Sequence, residues 1–206
     1  MADPKRPENP IPSQIFPDPP LAWDDDQILT ISVKGSWFRL NRADAPSSLY
    51  FDRSGRGRFD GEDQGYGILY LGEDIHTCFA ECFARDRTNA VTEVALKTRN
   101  LFEITAKRRL TFVDLTGKGL VRIGADAILT TGDYLKSRKW AKQLWQYSEH
   151  FDGIRYRSRV DNDRYCYGVF DCAQASLTEK NLGNLIDGHA GALAEILEDY
   201  SYSLIL

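Results

Sequence analysis

The sequence predicts an α+β fold, and three observations carry that expectation. Runs rich in β-branched and aromatic residues recur from residue 28 to residue 170. Apolar residues at helical spacing appear only in a few separate stretches. Strands and helices do not alternate regularly, as a doubly wound parallel sheet would require. A chain of 206 residues, 42% hydrophobic and 12% aromatic, suits one domain that buries its own core.

The elements follow in chain order. Seven of the eight prolines fall within residues 1–20, where they remove amide donors and favour extended backbone. Residues 1–26 are therefore read as a tail or strap, either disordered or pinned to the body through Ile11, Ile15, Phe16, Leu21 and Trp23, and residues 27–206 as the domain. Asp24–Asp26 reads as a solvated bend. Ile28–Val33 and Ser36–Leu40 are strands joined by a Lys34-Gly35 turn. Residues 50–66 lack periodicity and form a loop, and Gly67–Leu71 is a short strand. Ile75, Cys78, Phe79, Cys82 and Phe83 mark a helix capped by Asp74. Strand-like runs follow at 91–97, 100–105 and 110–114, and a mostly helical stretch at 119–149. Strands at Gly153–Ser158 and Tyr165–Phe170 precede a last amphipathic helix through Leu193, Ile196, Leu197 and Tyr200.

Composition excludes several classes of function. Thirty acidic against 26 basic residues give a net charge of −4, which disfavours binding to a nucleic-acid backbone. Cys78, Cys82, Cys166 and Cys172 form no CxxC pair, and His76, His150 and His189 are scattered, so no metal is expected. The first residues hold no apolar run of the signal-peptide kind, and no stretch of about 18 apolar residues marks a membrane helix. A cytoplasm with free thiols is the expected compartment.

The candidate sites each carry a plain alternative. Ser54–Gly61 holds Gly55, Gly57 and Gly61 with Arg56 and Arg58, beside Arg53. It matches neither the Walker A spacing nor G-x-G-x-x-G, leaving either a phosphate-binding turn or an exposed basic one. Cys78 and Cys82 sit in the apolar stripe as buried thiols, and His76 lies off it as a surface residue. Taking Ile75 as zero, Glu81 falls at about 240° around the helix, away from the stripe centre near 10°. It faces either solvent or the wall of a cleft. Arg39 and Tyr70 stand inside short apolar strands, where a solvent-facing arginine and a core tyrosine are ordinary. No G-x-S-x-G elbow, histidine-paired serine or spaced pair of carboxylates appears.

Taken in order, Trp37-Phe38-Arg39, Gly57-Arg58-Phe59-Asp60, Ile68–Leu71, Glu81 in Thr77-Cys78-Phe79-Ala80-Glu81, and Asp152–Arg159 resemble the RES domain. Its arginine, glutamate and serine match Arg39, Glu81 and Ser158, over roughly residues 36–175. The resemblance implies a fold similar to ADP-ribosyltransferase toxins, a mixed sheet split around an NAD-binding cleft. It implies cleavage of NAD⁺ at the nicotinamide–ribose bond by hydrolysis or phosphorolysis, with NAD⁺ as substrate and no other cofactor. It also implies a toxin's role opposite an Xre-like helix-turn-helix antitoxin. Transfer of ADP-ribose to a protein, and an inactive interaction module that uses the proline-rich tail, are the alternatives.

The chemistry accounts for the lack of a triad. Nicotinamide leaves NAD⁺ neutral, so no acid must protonate it, and the barrier lies in forming an oxocarbenium-like ribose. On this reading Arg39 clamps the diphosphate through its guanidinium fork. Tyr70 offers a ring face to the nicotinamide and a hydroxyl handle. Glu81 bonds a ribose hydroxyl and faces the developing positive charge, Ser158 orients Arg39 or a phosphate, and Arg58 serves the adenylate end.

Overall fold

The computed structural model describes residues 16–24, 26–86, 88–147 and 149–206. In chain order the strands are β1 (Thr30–Val33), β2 (Ser36–Arg42), β3 (Ile68–Gly72), β4 (Ala90–Thr92), β5 (Arg99–Ala106), β6 (Leu110–Leu115), β7 (Gly153–Arg157), β8 (Tyr165–Phe170), β9 (Leu177–Asn181) and β10 (Ser203–Ile205). The helices are α1 (Ile75–Phe83), α2 (Glu93–Lys97), α3 (Lys118–Arg122), α4 (Ile128–Thr131), α5 (Tyr134–Trp145), α6 (Leu185–Gly188) and α7 (Ala190–Asp199).

Eight strands form one sheet in the order β1-β6-β7-β8-β3-β2-β5-β9, and β10 pairs with β4 in a separate small sheet. Within the large sheet only β6 and β7 run parallel, so the sheet is mixed, as expected. The parallel pair needs a long crossover, and α3, α4 and α5 supply it.

The pairing is uneven, and this matters for the site. β3 is in register with β8 along its whole length, from Ile68 opposite Phe170 to Gly72 opposite Cys166. β2 is in register with β5 from Ser36 to Arg42. Between β2 and β3 only Phe38 and Gly72 pair. The sheet therefore splits into a five-strand part, β1 to β3, and a three-strand part, β2-β5-β9, that diverge from one pinned point.

Side chains on β3 alternate between faces, as strand geometry dictates. Ile68 and Tyr70 pack with Phe59, Trp140, Ile154 and Phe170 under α5. Leu69 and Leu71 pack with Trp37, Ile104, Phe112 and Val169 on the other face. A third core joins Leu40 and Leu101 to Phe79 of α1, Leu96 of α2, Leu185 of α6 and Ile196 of α7. Each part of the split sheet thus has its own helical cover. α1 packs on both β2 and β3 and spans the seam.

Two details differ from the expectation, and a third settles a reading that the sequence left open. The strand-like run at 91–97 is strand only to Thr92, whose hydroxyl then caps α2 by accepting from the Ala95 amide. The helical stretch at 119–149 is three helices, broken at Gly124 with φ of 79° and again at Asp133, the N-cap of α5. The tail is anchored where it is described. Phe16 and Trp23 are 7% exposed within the α5 core, whereas Leu21 is exposed. Ile11, Ile15 and the rest of residues 1–15 lie outside the described residues.

Candidate functional site

A cleft of about 480 Å³ opens where β2 and β3 diverge. Its floor is Arg39 and Leu40 on one strand and Tyr70, Leu71 and Gly72 on the other. α1 contributes Thr77, Cys78, Glu81, Cys82 and Arg85. The loop after β2 brings Asp52, Arg56, Gly57 and Arg58. The crossover adds Thr130 and Tyr134, and the end of β7 adds Tyr156 and Arg159.

Glu81 is the carboxylate of the α1 wall, and its angle on the helix is explained by the cleft. Its side chain is 22% exposed. Ser158 Oγ donates to Glu81 Oε1 at 2.6 Å, and Arg85 Nη2 donates to Oε2 at 2.5 Å. The Ser158 hydroxyl also accepts from the amides of Val160 and Asp161, each at 3.1 Å. Amides only donate, so the hydroxyl proton is committed to Glu81. Ser158 is 1% exposed and does not line the cleft. It orients Glu81, not Arg39 or a phosphate, as sequence reasoning had it.

Arg39 is held from behind. Its Nη1 donates to the carbonyls of Ser48 (2.8 Å) and Tyr50 (3.1 Å). Burial pushes its pKa down, with the charges of Asp52 and Glu179 opposing. The remaining guanidinium donors make no hydrogen bond among the described residues, which leaves them to an anion in the cleft.

Tyr70 lines the cleft, but its hydroxyl is not a free handle. The hydroxyl accepts from the Phe59 amide at 2.9 Å and donates to Asp60 Oδ1 at 2.8 Å. Burial and the Asp60 charge raise its pKa well above 10.0. Asp60 Oδ2 takes the Gly57 amide at 2.7 Å, closing a clasp between the loop and β3. A Cβ on Gly57 would stand 2.3 Å from Asp60 Oδ1 and 2.6 Å from the Tyr70 hydroxyl, so only glycine fits there.

Arg58 crosses to the opposite wall. Its Nη1 donates to the Gly132 carbonyl (2.8 Å) and to Ser137 Oγ (3.2 Å), and its guanidinium lies 4.4 Å from the centre of the Tyr134 ring. Burial lowers its pKa. The structure therefore brings Arg39, Arg58, Tyr70 and Glu81 to one cleft, with Ser158 one hydrogen bond behind.

Sequence reasoning missed Arg85, Arg99, Tyr134, Tyr156 and Arg159 as lining residues. Arg85 was open to discovery, since it stands four residues after Glu81 on one helix face. Arg99 and Tyr134 come from remote elements and carry no local signal. The remaining motif residues have structural work. Asp152 holds Arg108 and the Thr111 amide, and Arg155 pairs with Asp114 at 2.7 Å, all away from the cleft. His76 is not a free surface residue: its ring lies 3.2 Å from Asp199. Cys78 and Cys82 face the cleft from α1, and burial raises the pKa of both thiols, which keeps them protonated. Among the described residues no group of three His, Cys, Asp or Glu side chains is placed to hold a metal ion.

The lining carries six arginines against two carboxylates, with tyrosine rings between them. Such a cleft suits a ligand that is anionic and has flat rings. Comparison with known proteins agrees with this fold. A probable toxin, y4kH, of Sinorhizobium fredii (strain NBRC 101917 / NGR234) is 33% identical over 98 residues, 47% of this chain and 75% of the relative. The crystal structure of the M. tuberculosis MbcT–MbcA toxin–antitoxin complex contains a chain of the same fold. It superposes with a TM-score of 0.60 and 17% identity over 85% of this chain and 94% of that one. The model of the RES domain matches residues 34–185, a span that holds every wall of the cleft, and the chain belongs to the RES domain family.

Proposed function

We propose that the protein cleaves NAD⁺ at the nicotinamide–ribose bond and acts as the toxin of a toxin–antitoxin pair. The observation that carries the reading is Glu81, a single carboxylate fixed by Ser158 and Arg85 on the wall of an arginine-lined cleft. The diphosphate of NAD⁺ bears two negative charges that the free donors of Arg39 can take. The ring of Tyr70 offers its face to the nicotinamide, and Glu81 bonds a ribose hydroxyl beside C1′. As the C1′–N bond breaks, its electron pair neutralises the pyridinium nitrogen and positive charge develops on the sugar. A preorganised carboxylate stabilises that charge without protonating the leaving group. Oxygen from water then bonds C1′, losing a proton to solvent, and ADP-ribose is released; phosphate or a protein side chain can take the place of water.

The named toxin among the relatives and the toxin–antitoxin complex of the same fold support the toxin's role and a protein antitoxin as partner. An Xre-type helix-turn-helix antitoxin and a cytoplasmic site of action belong to this proposal. No helix among the described residues is long and apolar enough to cross a membrane.

The test is to incubate the purified protein with NAD⁺, with and without phosphate, and to follow free nicotinamide. Release that is lost in Glu81→Gln supports the proposal. Label from NAD⁺ on a cellular protein would move it to ADP-ribosyl transfer. A chain that neither binds NAD⁺ nor depletes it in cells would be an interaction module, and the proposal would fall.

A further inference from the structure

Residues 16–23 precede the span that matches the RES domain, yet they are built into the outer face of α5. Trp140 Nε1 donates to the Pro17 carbonyl at 3.0 Å, and Gln143 Nε2 to the Leu21 carbonyl at 2.7 Å. Lys136 and Lys139 converge on Asp18 at 2.7 and 3.3 Å. The rings of Phe16 and Trp23 flank Trp140, with centroids 5.9 and 6.0 Å away.

The inner face of the same helix makes the cleft. Tyr134 lines it, Ser137 takes Arg58, and Arg138 Nε donates to the Gly57 carbonyl at 3.0 Å. α5 therefore has the strap on one side and the Gly57–Asp60 loop on the other. The strap adds a further set of contacts to a helix already seated through Trp140, Ala141 and Leu144 in the core, Trp145 stacked on Tyr66 at 5.1 Å and Lys142 paired with Asp63 at 2.6 Å.

We propose that residues 16–23 are a positioning strap: they fix α5 so that the Arg56–Arg58 wall of the cleft keeps the geometry that binds the dinucleotide. The part concerning the dinucleotide rests on the proposed NAD⁺ cleavage; the mechanical coupling does not. Strap side chains touch no substrate, so loosening them costs binding and leaves the Glu81 chemistry in place.

The test uses the full chain in three forms: Trp23→Ala, Trp23→Phe and Asp18→Ala. Amide hydrogen exchange is followed along residues 56–60 and 132–138, and KM and kcat for NAD⁺ are measured on the same samples. Trp23→Ala is expected to speed exchange at the loop and to raise KM several-fold with kcat nearly unchanged, and Trp23→Phe to restore both. Asp18→Ala removes two exposed ion pairs without touching the core, so it gives the same comparison, at smaller amplitude, if Trp23→Ala does not fold. Faster exchange confined to residues 16–24 and 139–147, or an equal fall of kcat and kcat/KM, overturns the proposal. A chain without NAD⁺ turnover would sink the proposed function, while the exchange data would still decide the coupling.

Discussion

Glu81 is where two demands on one side chain meet. On the proposed reading it must face the ribose and hold its aim, and its two oxygens receive one donor each, from Ser158 and Arg85. The two partners are not equivalent. Arg85 is half exposed, so on the proposed mechanism it is the partner that gives way to a ribose hydroxyl, whereas Ser158 is buried and locked by two amides. Glu81→Gln keeps the shape and removes the charge. Nicotinamide release is expected to fall by about 10²- to 10³-fold with little change in Tm, taking single-donor deletions in oxyanion holes as the guide. Ser158→Ala should cost activity and stability together. It frees Glu81 to turn and takes the acceptor from the partly buried Val160 and Asp161 amides, a loss of about 1 kcal/mol for each hydrogen bond. Thermal melts and nicotinamide release on the same samples separate the two variants.

At the scale of elements, what the sequence revealed depended on how local the signal was. α1 was legible because five apolar positions repeat at helical spacing and Asp74 accepts from the Thr77 amide as its cap. β3 and β8 were legible as unbroken apolar runs. β9 was not: Leu177-Thr178-Glu179-Lys180-Asn181 is an edge strand with one buried residue, and its pairing with β5 is a property of β5. β10 has three exposed residues and owes its existence to β4. The same rule governs the site. Arg39, Tyr70, Glu81 and Ser158 were picked out as candidates through an ordered resemblance, while the hydrogen bonds of Ser158 and the Tyr70 hydroxyl were not foreseeable because their partners, Glu81 and Asp60, lie on other elements. The Gly57–Asp60 loop is where this non-local wiring is tightest. Gly57→Ala drives a methyl group into the Asp60 carboxylate and the Tyr70 hydroxyl, so the clasp must open. A loss of about 1–3 kcal/mol in denaturant unfolding is expected, as for other overpacked sites, with a rise in KM because Arg56 and Arg58 move with the loop.

Over the whole molecule, the split sheet sets the balance between stability and function. A continuous sheet would join β2 to β3 along their length, but here a single pair of residues bridges them and the opened seam becomes the cleft. Tyr70 and Tyr156 line that seam, and Tyr66 is buried in the core beside it. Burial raises the pKa of Tyr66, Tyr70 and Tyr156 above the ordinary 10.0, with Asp60 adding to the effect at the first two. In the unfolded chain the same phenols ionise near 10.0. A group whose folded pKa is raised contributes stability in full below its unfolded pKa and loses it as pH rises toward the folded value. Three such groups within one core act in the same direction, so Tm should hold up to about pH 9–10 and fall steeply above it. Phenolate absorbance gives the check. Tyr66, Tyr70 and Tyr156 should ionise only together with the loss of tertiary structure. Tyr70→Phe removes one of the three phenols, together with the hydroxyl that closes the Asp60 clasp. It should lower Tm at neutral pH and flatten the alkaline decline, a crossing of the two curves that loss of packing alone does not produce.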